Sequence, residues 1–132
     1  MKITIITVCY NSAKTIEKTI QSVISQNFHD LEYMIIDGAS TDNTLDIIRK
    51  YQDDISYCIS EGDNGIYDAM NKGLSKASGE VIAFLNSDDW YLPGVNVLER
   101  VERYFNDNVT DIVSGGIYVY KDAVSSKAMR YK

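Results

Sequence analysis

Val81-Ile82-Ala83-Phe84-Leu85 is a short apolar run, and it passes directly into Asn86-Ser87-Asp88-Asp89. An apolar stretch of this length bounded by polar residues reads as a strand buried within a sheet. Two adjacent carboxylates at the mouth of such a strand are costly to desolvate unless a cation or a set of hydrogen-bond donors compensates them. Mg²⁺ and Mn²⁺ favour oxygen ligands, and Mg²⁺ is commonly held by one or two carboxylates, with waters and substrate phosphates completing its shell. Asp88 and Asp89 are therefore candidate ligands for a metal bound together with a phosphate. Ser-Asp-Asp is also ordinary composition for a turn or a helix N-cap, so the rest of the chain has to decide.

Upstream the chain alternates between two periods. Ile3 to Cys9 is apolar and β-branched, as a strand buried on both faces would be; Ala13, Ile16, Ile20, Val23 and Ile24 then recur at spacings of three and four. That spacing predicts a helix over Ser12 to Gln26, capped near Asn11 or Ser12. Leu31 to Ile36 reads as a second strand, Thr41 to Tyr51 as a helix, Ile55 to Ile59 as a weaker strand and Ile66 to Ala77 as a helix. After the strand at Glu80 to Leu85, Pro93-Gly94 opens a further helix through Phe105, with proline in a first turn that tolerates it, and Asp111 to Tyr120 is extended. Alternation with short links predicts an α/β fold: a mainly parallel sheet with helices on both faces, in one domain over residues 1–132.

In an open parallel sheet, ligands bind outside the carboxyl ends of the strands. Here those ends carry Tyr10-Asn11, Asp37-Gly38-Ala39-Ser40, Ser60-Glu61-Gly62-Asp63 and Asn86-Ser87-Asp88-Asp89, which would line one rim. Neither a Gly-x-x-x-x-Gly-Lys-Ser/Thr loop nor a Gly-x-Gly-x-x-Gly turn follows the first strand, so phosphates must be held another way.

With 132 residues, 45% hydrophobic and 24% charged, the chain has the composition of a globular domain rather than a disordered one. A formal net charge of -6 argues against a nucleic-acid partner, whose phosphates call for clustered Lys and Arg. Cys9 and Cys58 lie in apolar runs without Cys-x-x-Cys spacing and read as free core thiols in a reducing cytoplasm. Met1 to Val8 is too short and polar for a signal peptide, and no apolar stretch approaches the ~18 residues of a membrane span. The expectation is a soluble cytoplasmic protein, with peripheral attachment at the inner face of the membrane left open.

Five ordered segments carry a resemblance: Thr7-Val8-Cys9-Tyr10-Asn11, Ser22-Val23-Ile24-Ser25-Gln26-Asn27-Phe28, Ile36-Asp37-Gly38-Ala39-Ser40-Thr41-Asp42-Asn43-Thr44, Gly65-Ile66-Tyr67-Asp68-Ala69-Met70-Asn71-Lys72-Gly73 and Asn86-Ser87-Asp88-Asp89. Together they resemble the family 2 glycosyltransferases, inverting enzymes with the Rossmann-like GT-A fold that transfer sugars from nucleotide diphosphates. The resemblance implies that Val8 and Tyr10 lie against the nucleobase, and that Asp37 bonds the base or supports the loop that does. It implies that Asp68 and Asn71 position the nucleotide or sugar, and that Asp88 and Asp89 form the Asp-x-Asp-like metal site for Mn²⁺ or Mg²⁺. The implied reaction is displacement at the anomeric carbon, with a metal acting on the departing diphosphate of a nucleotide-sugar donor, UDP-linked by expectation. A glycan or lipid-linked acceptor in polysaccharide or cell-envelope synthesis would receive the sugar, a general base taking its proton.

Four departures from the family pattern matter. Gly38 stands where a second Asp is common, Met70 where Arg is common, and Asn86 replaces the first acid of Asp-Ser-Asp. The family's catalytic base and acceptor segment lie later than Lys132, so the expectation is a truncated nucleotide-sugar-binding part, with an apolar surface that invites homo-oligomer formation. Two alternatives stay open. One is a catalytically incompetent nucleotide-binding or interaction fragment of the same fold; the other is a metal-dependent nucleotidyltransferase, which would want a Gly-rich loop that Tyr10-Asn11-Ser12-Ala13 does not supply. Of the remaining polar residues, His29 reads as a solvated turn residue, Asp42 as a first-turn helix acid and Asp63 as turn composition.

Overall fold

The structure is a computed structural model, and it describes residues 1–106, 110–115, 117–120 and 128–131. Strand β1 (Ile3–Cys9) is buried at every position. It lies between β2 (Leu31–Asp37) and β4 (Val81–Phe84), and β3 (Tyr57–Ser60) pairs with the far side of β2, giving a four-stranded sheet in the order β3-β2-β1-β4. All three pairings are parallel, with Ile3 opposite both Leu31 and Val81. The chain therefore moves from β1 out to β3 and returns across β1 to place β4. Strand order reverses between β1 and β4, which puts the ligand-binding crevice of such a sheet beyond Cys9 and Phe84.

Helices α1 (Ile16–Ile24), α2 (Thr44–Arg49) and α3 (Ile66–Leu74) make the crossovers, and α4 (Val97–Phe105) follows β4. Right-handed crossovers running in opposite directions put α1 and α2 on one face and α3 on the other. On the α3 face, Ile6, Val8, Met34, Ile36 and Ala69 form a buried cluster against which Tyr57, Ile59, Met70 and Ala77 pack. The alternate residues Ile3, Ile5, Tyr33 and Ile35 point to the other face and are equally buried, as are Ile16, Ile20 and Val23 of α1. The expected parallel α/β sheet is present, but β4 is an outer strand whose residues alternate between half-buried and exposed, and not the strand buried within the sheet that its apolar run suggests.

Several element ends differ from expectation. Helix α1 starts at Ile16, because Asn11 sits at φ +47 and its side-chain oxygen accepts from the Thr41 and Asp42 amides instead of capping the helix. Thr41–Tyr51 contains only the six-residue α2, followed by a 3-10 turn at Gln52–Asp54, and α3 stops at Leu74. Pro93-Gly94 forms a turn, with Gly94 at φ +73, and the helix begins three residues later at Val97. Cys9 is buried but Cys58 is exposed, since β3 is an outer strand; only one of the two free thiols belongs to the core.

Met1–Arg100 forms one compact unit and Val101–Lys132 a second. The second contains β5 (Ile117–Tyr120) paired antiparallel with β6 (Ala128–Tyr131), so among the described residues of Asp111 to Tyr120 the last four form a strand. No helix among the described residues is long and apolar enough to cross a membrane.

At the amino end of the sheet, Glu32 joins β1, β2 and the lead into β4. Its carboxylate accepts from Thr4 Oγ1 and the Ser78 amide, both at 2.8 Å, and from Ser78 Oγ, with Lys2 Nζ at 3.1 Å. Burial alone would raise the Glu32 pKa; the bonds from Ser78, then those from Thr4 and Lys2, outweigh it and bring it down to about 2. A carboxyl lowered in the folded state contributes stability above its unfolded value of 4.5 and loses it as pH falls toward 2. Glu32→Gln is expected to cost about 2 kcal/mol at pH 7 and much less near pH 2.5, read from urea midpoints at the two pH values.

Candidate functional site

A cavity of about 1010 Å³ opens at the carboxyl end of the sheet. One wall is the end of β1 and the lead into α1, with Val8, Tyr10, Ser12 and Lys14; another is Asn86, Ser87 and Asp88 after β4. Gly65, Ile66 and Ala69 at the start of α3 close it, with Gly38, Asp42, Gly62 and Asp63 from the loops after β2 and β3. The cavity thus sits at the reversal of strand order. Tyr10 is 62% exposed, which leaves its ring free to meet a planar group.

The rim is hydrogen-bonded across three loops. Asn11 Oδ1 accepts from the Thr41 amide at 2.8 Å, while the Asn11 amide donates to Ser40 Oγ at 2.8 Å. The Ser12 amide donates to Thr44 Oγ1 and the Ala13 amide to Asp42 Oδ2. Ser12 Oγ and Ser87 Oγ lie 2.8 Å apart, tying the β1 loop to the β4 loop. Short polar side chains prevail here because they can satisfy loop amides that no ladder reaches.

Asp37, the last residue of β2, is fully buried. Its carboxylate accepts from Ser40 Oγ, the Ser40 amide at 2.9 Å, Ser60 Oγ at 2.6 Å and Cys9 Sγ at 3.4 Å. Burial pushes its pKa up, but the donations from Ser40 and Ser60 prevail, and the group is held below the usual carboxylate range. Burial, followed by the nearby Asp37 charge, pushes the Cys9 thiol well up, so it serves as a donor and not as a nucleophile. Asp37 is thereby committed to the Ser40 and Ser60 loops and does not line the cavity.

Of the other residues singled out in the sequence, Val8, Tyr10 and Asp88 share the cavity wall, whereas Asp68, Asn71 and Asp89 do not line it. Asp68 accepts from the Asn64 amide at 3.0 Å and lies 3.6 Å from Lys72 Nζ, which braces the start of α3. The Asp89 pKa is raised, by burial first and by the neighbouring Asp88 charge second, against a lowering bond from Asn86. Met70, at the family's arginine position, packs against the core cluster.

The cavity also collects residues that sequence reasoning passed over. Lys14 is the one basic residue among the described lining residues, and Asp42 and Asp63 add carboxylates. Nothing local marks Lys14, whose place follows from the late start of α1. Asp63 explains Gly38: a Cβ at position 38 would lie 2.6 Å from Asp63 Oδ2, so a carboxylate from the β3 loop occupies the space beside β2 that any side chain at 38 would need.

Among the described residues no cluster of three or more His, Cys, Asp or Glu is placed to hold a metal ion. At the acidic turn the donors are the Asp88 carboxylate, its neighbour Asp89, and the side-chain oxygens of Asn86 and Ser87. That set fits an ion carried largely by phosphate oxygens and water, as Mg²⁺ commonly is, and does not fit an all-protein cage. Burial first and the Asp88 charge second raise the Asp89 pKa, and a cation beside the pair would offset both.

The family described as Glycosyl transferase family 2 matches residues 4–132. The UDP-Glc:alpha-D-GlcNAc-diphosphoundecaprenol beta-1,3-glucosyltransferase WfaP of Escherichia coli is 41% identical over 91 residues, which cover 68% of this chain and 36% of that protein. Among solved structures, S. aureus TarS 1-349 in complex with UDP-GlcNAc superposes with a TM-score of 0.71 at 29% identity, over 82% of this chain and 32% of that one. The mannosyltransferase PcManGT from Pyrobaculum calidifontis, in complex with GDP-Man and Mn²⁺, superposes with a TM-score of 0.65 at 26% identity, over 72% and 29%. The chain spans about a third of the length of these relatives. A parallel sheet in the order β3-β2-β1-β4 with its cavity at the β1/β4 reversal is the GT-A arrangement, and the chain belongs to glycosyl transferase family 2.

Proposed function

We propose that this chain is the donor-binding part of an inverting glycosyltransferase that takes a sugar from UDP and delivers it to a glycan or lipid-linked acceptor in polysaccharide or envelope synthesis. The observation that carries the reading is the cavity at the topological switch point, with an exposed aromatic, Tyr10, on one wall and an acidic turn, Asn86 to Asp88, on the other. An aromatic face suits a nucleobase, and an acidic turn suits a diphosphate only through a cation. WfaP uses a UDP-sugar by its name, and TarS has been solved with one, which supports uridine over other bases. A lipid-linked acceptor would place the protein at the inner face of the membrane.

In this reading Val8 and Tyr10 hold the base, and Asp37 keeps the Ser40 loop in place behind them. Asp88 and Asp89, with Asn86 and Ser87 beside them, would hold Mn²⁺ or Mg²⁺. The ion supplies Lewis-acid stabilisation of the charge that develops on the leaving group. Lys14 adds a positive charge from the opposite wall. Asp42 and Asp63 also line the cavity and disfavour a third phosphate group, which argues for a diphosphate donor over a triphosphate and against the nucleotidyltransferase alternative.

The test reads binding, because the cavity residues are assigned to the donor and none to the acceptor's proton. UDP titrated calorimetrically with Mn²⁺ is expected to bind at least tenfold (about 1.4 kcal/mol) more tightly than with chelator. Asp88→Ala is expected to remove that difference. Binding that ignores both metal and Asp88 would overturn the assignment.

A further inference from the structure

The segment from Leu85 to Asn96 carries the acidic turn but contains no helix or strand. It has few backbone bonds of its own: the Asp89 amide to the Asn86 carbonyl at 3.0 Å, and the Val95 amide to the Leu92 carbonyl at 3.4 Å. At its start the Leu85 amide donates to the Ile6 carbonyl at 3.0 Å and Ser87 Oγ meets Ser12 Oγ; from Asp89 onward it is held by a row of side chains on one stripe of α1 and the turn that follows. Thr19 Oγ1, fully buried, donates to the Asp89 carbonyl at 2.7 Å. Ser22 Oγ accepts from the Tyr91 amide at 3.1 Å. Gln26 Oε1 accepts from the Val97 amide at 2.7 Å and the Leu98 amide at 3.4 Å, the first two of α4, which have no acceptor within their own helix. Lys18 Nζ lies 3.6 Å above the Trp90 ring on the same side.

Spacings of three and four place residues 19, 22 and 26 in line along a helix, so the row meets successive points of the segment as it runs past. Two of the three ties are anchored by a further bond. Ser22 Oγ donates to the Thr19 carbonyl at 2.8 Å, and Gln26 Nε2 donates to the Ser22 carbonyl at 3.4 Å. Neither side chain can therefore rotate away without losing two bonds. Because α1 follows β1, the helix that carries the row also carries the Tyr10 wall, and the row acts with the Ser12–Ser87 contact to set the distance between that wall and Asp88.

We propose that Thr19, Ser22 and Gln26 are positioning residues that clamp the Asp88-Asp89 turn to the β1 wall, and that this clamp governs the metal-dependent share of nucleotide affinity. The second half rests on the donor-site reading above; the first half does not.

The experiment uses the whole chain with Thr19→Val, which keeps the buried volume and removes the donor, Ser22→Ala, and Thr19→Ser as the conservative restoration. Amide hydrogen exchange followed by mass spectrometry, without nucleotide, is expected to quicken about tenfold in peptides covering residues 86–98 while those covering β1 and β2 stay protected. Thr19→Ser restores protection. Exchange that rises evenly through β1 and β2, or stays unchanged over 86–98, overturns the clamp. With UDP, the two disrupting variants are expected to bind about tenfold more weakly in Mn²⁺ and unchanged in chelator, and Thr19→Ser to bind as the parent does. Equal losses in both conditions overturn the link to the metal. A parent protein that binds UDP without regard to metal overturns the donor-site reading and with it that link, and the exchange pattern alone then decides the clamp.

Discussion

Asp37→Ala is expected to lower the unfolding free energy by roughly 2–4 kcal/mol, because it removes a buried carboxylate that accepts charge-assisted bonds from four donors, of which the Cys9 thiol is itself buried. The Ser40 amide has no way to turn, and Ser40 Oγ, Ser60 Oγ and Cys9 Sγ lose the acceptor they share. Asp37→Asn tests whether charge or acceptor capacity matters. An amide retains one oxygen but turns an NH₂ toward groups that already donate, so it is expected to recover less than half of the loss. The pH dependence follows in sign from the lowered pKa. The carboxylate's contribution is complete above its unfolded value of 3.8 and disappears as pH falls through the lower folded value. Urea unfolding at pH 7 and pH 3 is expected to show a smaller gap between parent and variant at the acid pH. A gap equal at both would mean that the side chain acts through packing alone. The same substitution loosens Gly38 to Asp42, so Tyr10, tied to that loop through Asn11 and Ser40, should also lose its fixed position at the cavity.

The parallel sheet was legible because its signals are local. A buried strand such as Ile3–Cys9 announces itself by composition, as does the apolar run of Val81–Phe84 even though it forms an outer strand, and α1 and α3 by the period of their apolar residues. The misplaced boundaries have distant causes. Asn11 has every local mark of a helix cap, yet its side chain is claimed by amides 30 and 31 residues away. Pro93-Gly94 suits a first helical turn as well as a tight turn, and α4 starts instead where Gln26, 71 residues earlier, receives the Val97 amide. The site divides along the same line. The resemblance brought Val8, Tyr10 and Asp88 forward, and these three meet on one wall set. It offered Asp37 either the base or the supporting loop, and only the partners from two other loops distinguish them. Asp63 and Lys14 had turn and surface composition; their place at the cavity depends on how the β3 loop and the lead into α1 fold over the sheet, which no short window of sequence contains.

Gly73→Leu is expected to cost about 4 kcal/mol or more, as overpacking of a dense core that cannot repack around a whole side chain. Gly73 sits where α3 descends onto β1 and β2, and a Cβ there would lie 2.6 Å from Ile6 Cγ2 and 3.2 Å from Ile36 Cγ1. Both isoleucines belong to the buried cluster with Val8, Met34 and Ala69. Two effects compete in Gly73→Ala. The helix gains about 1 kcal/mol in intrinsic propensity, while crowding of this kind costs about 1–3 kcal/mol. Alanine is therefore expected near a net cost of 1 kcal/mol, and a stabilised alanine variant would mean that α3 can shift without penalty. Leucine leaves no such balance: α3 must lift, and the cluster opens. Because Ile66 and Ala69 of α3 line the cavity, the lift should weaken UDP binding equally with Mn²⁺ and with chelator. Asp88→Ala should act only when the metal is present. Calorimetry on the two variants thus separates the wall that shapes the cavity from the turn that holds the ion, and a Gly73→Leu protein that stays folded and keeps its chelator-insensitive affinity would show that α3 contributes nothing to the nucleotide site.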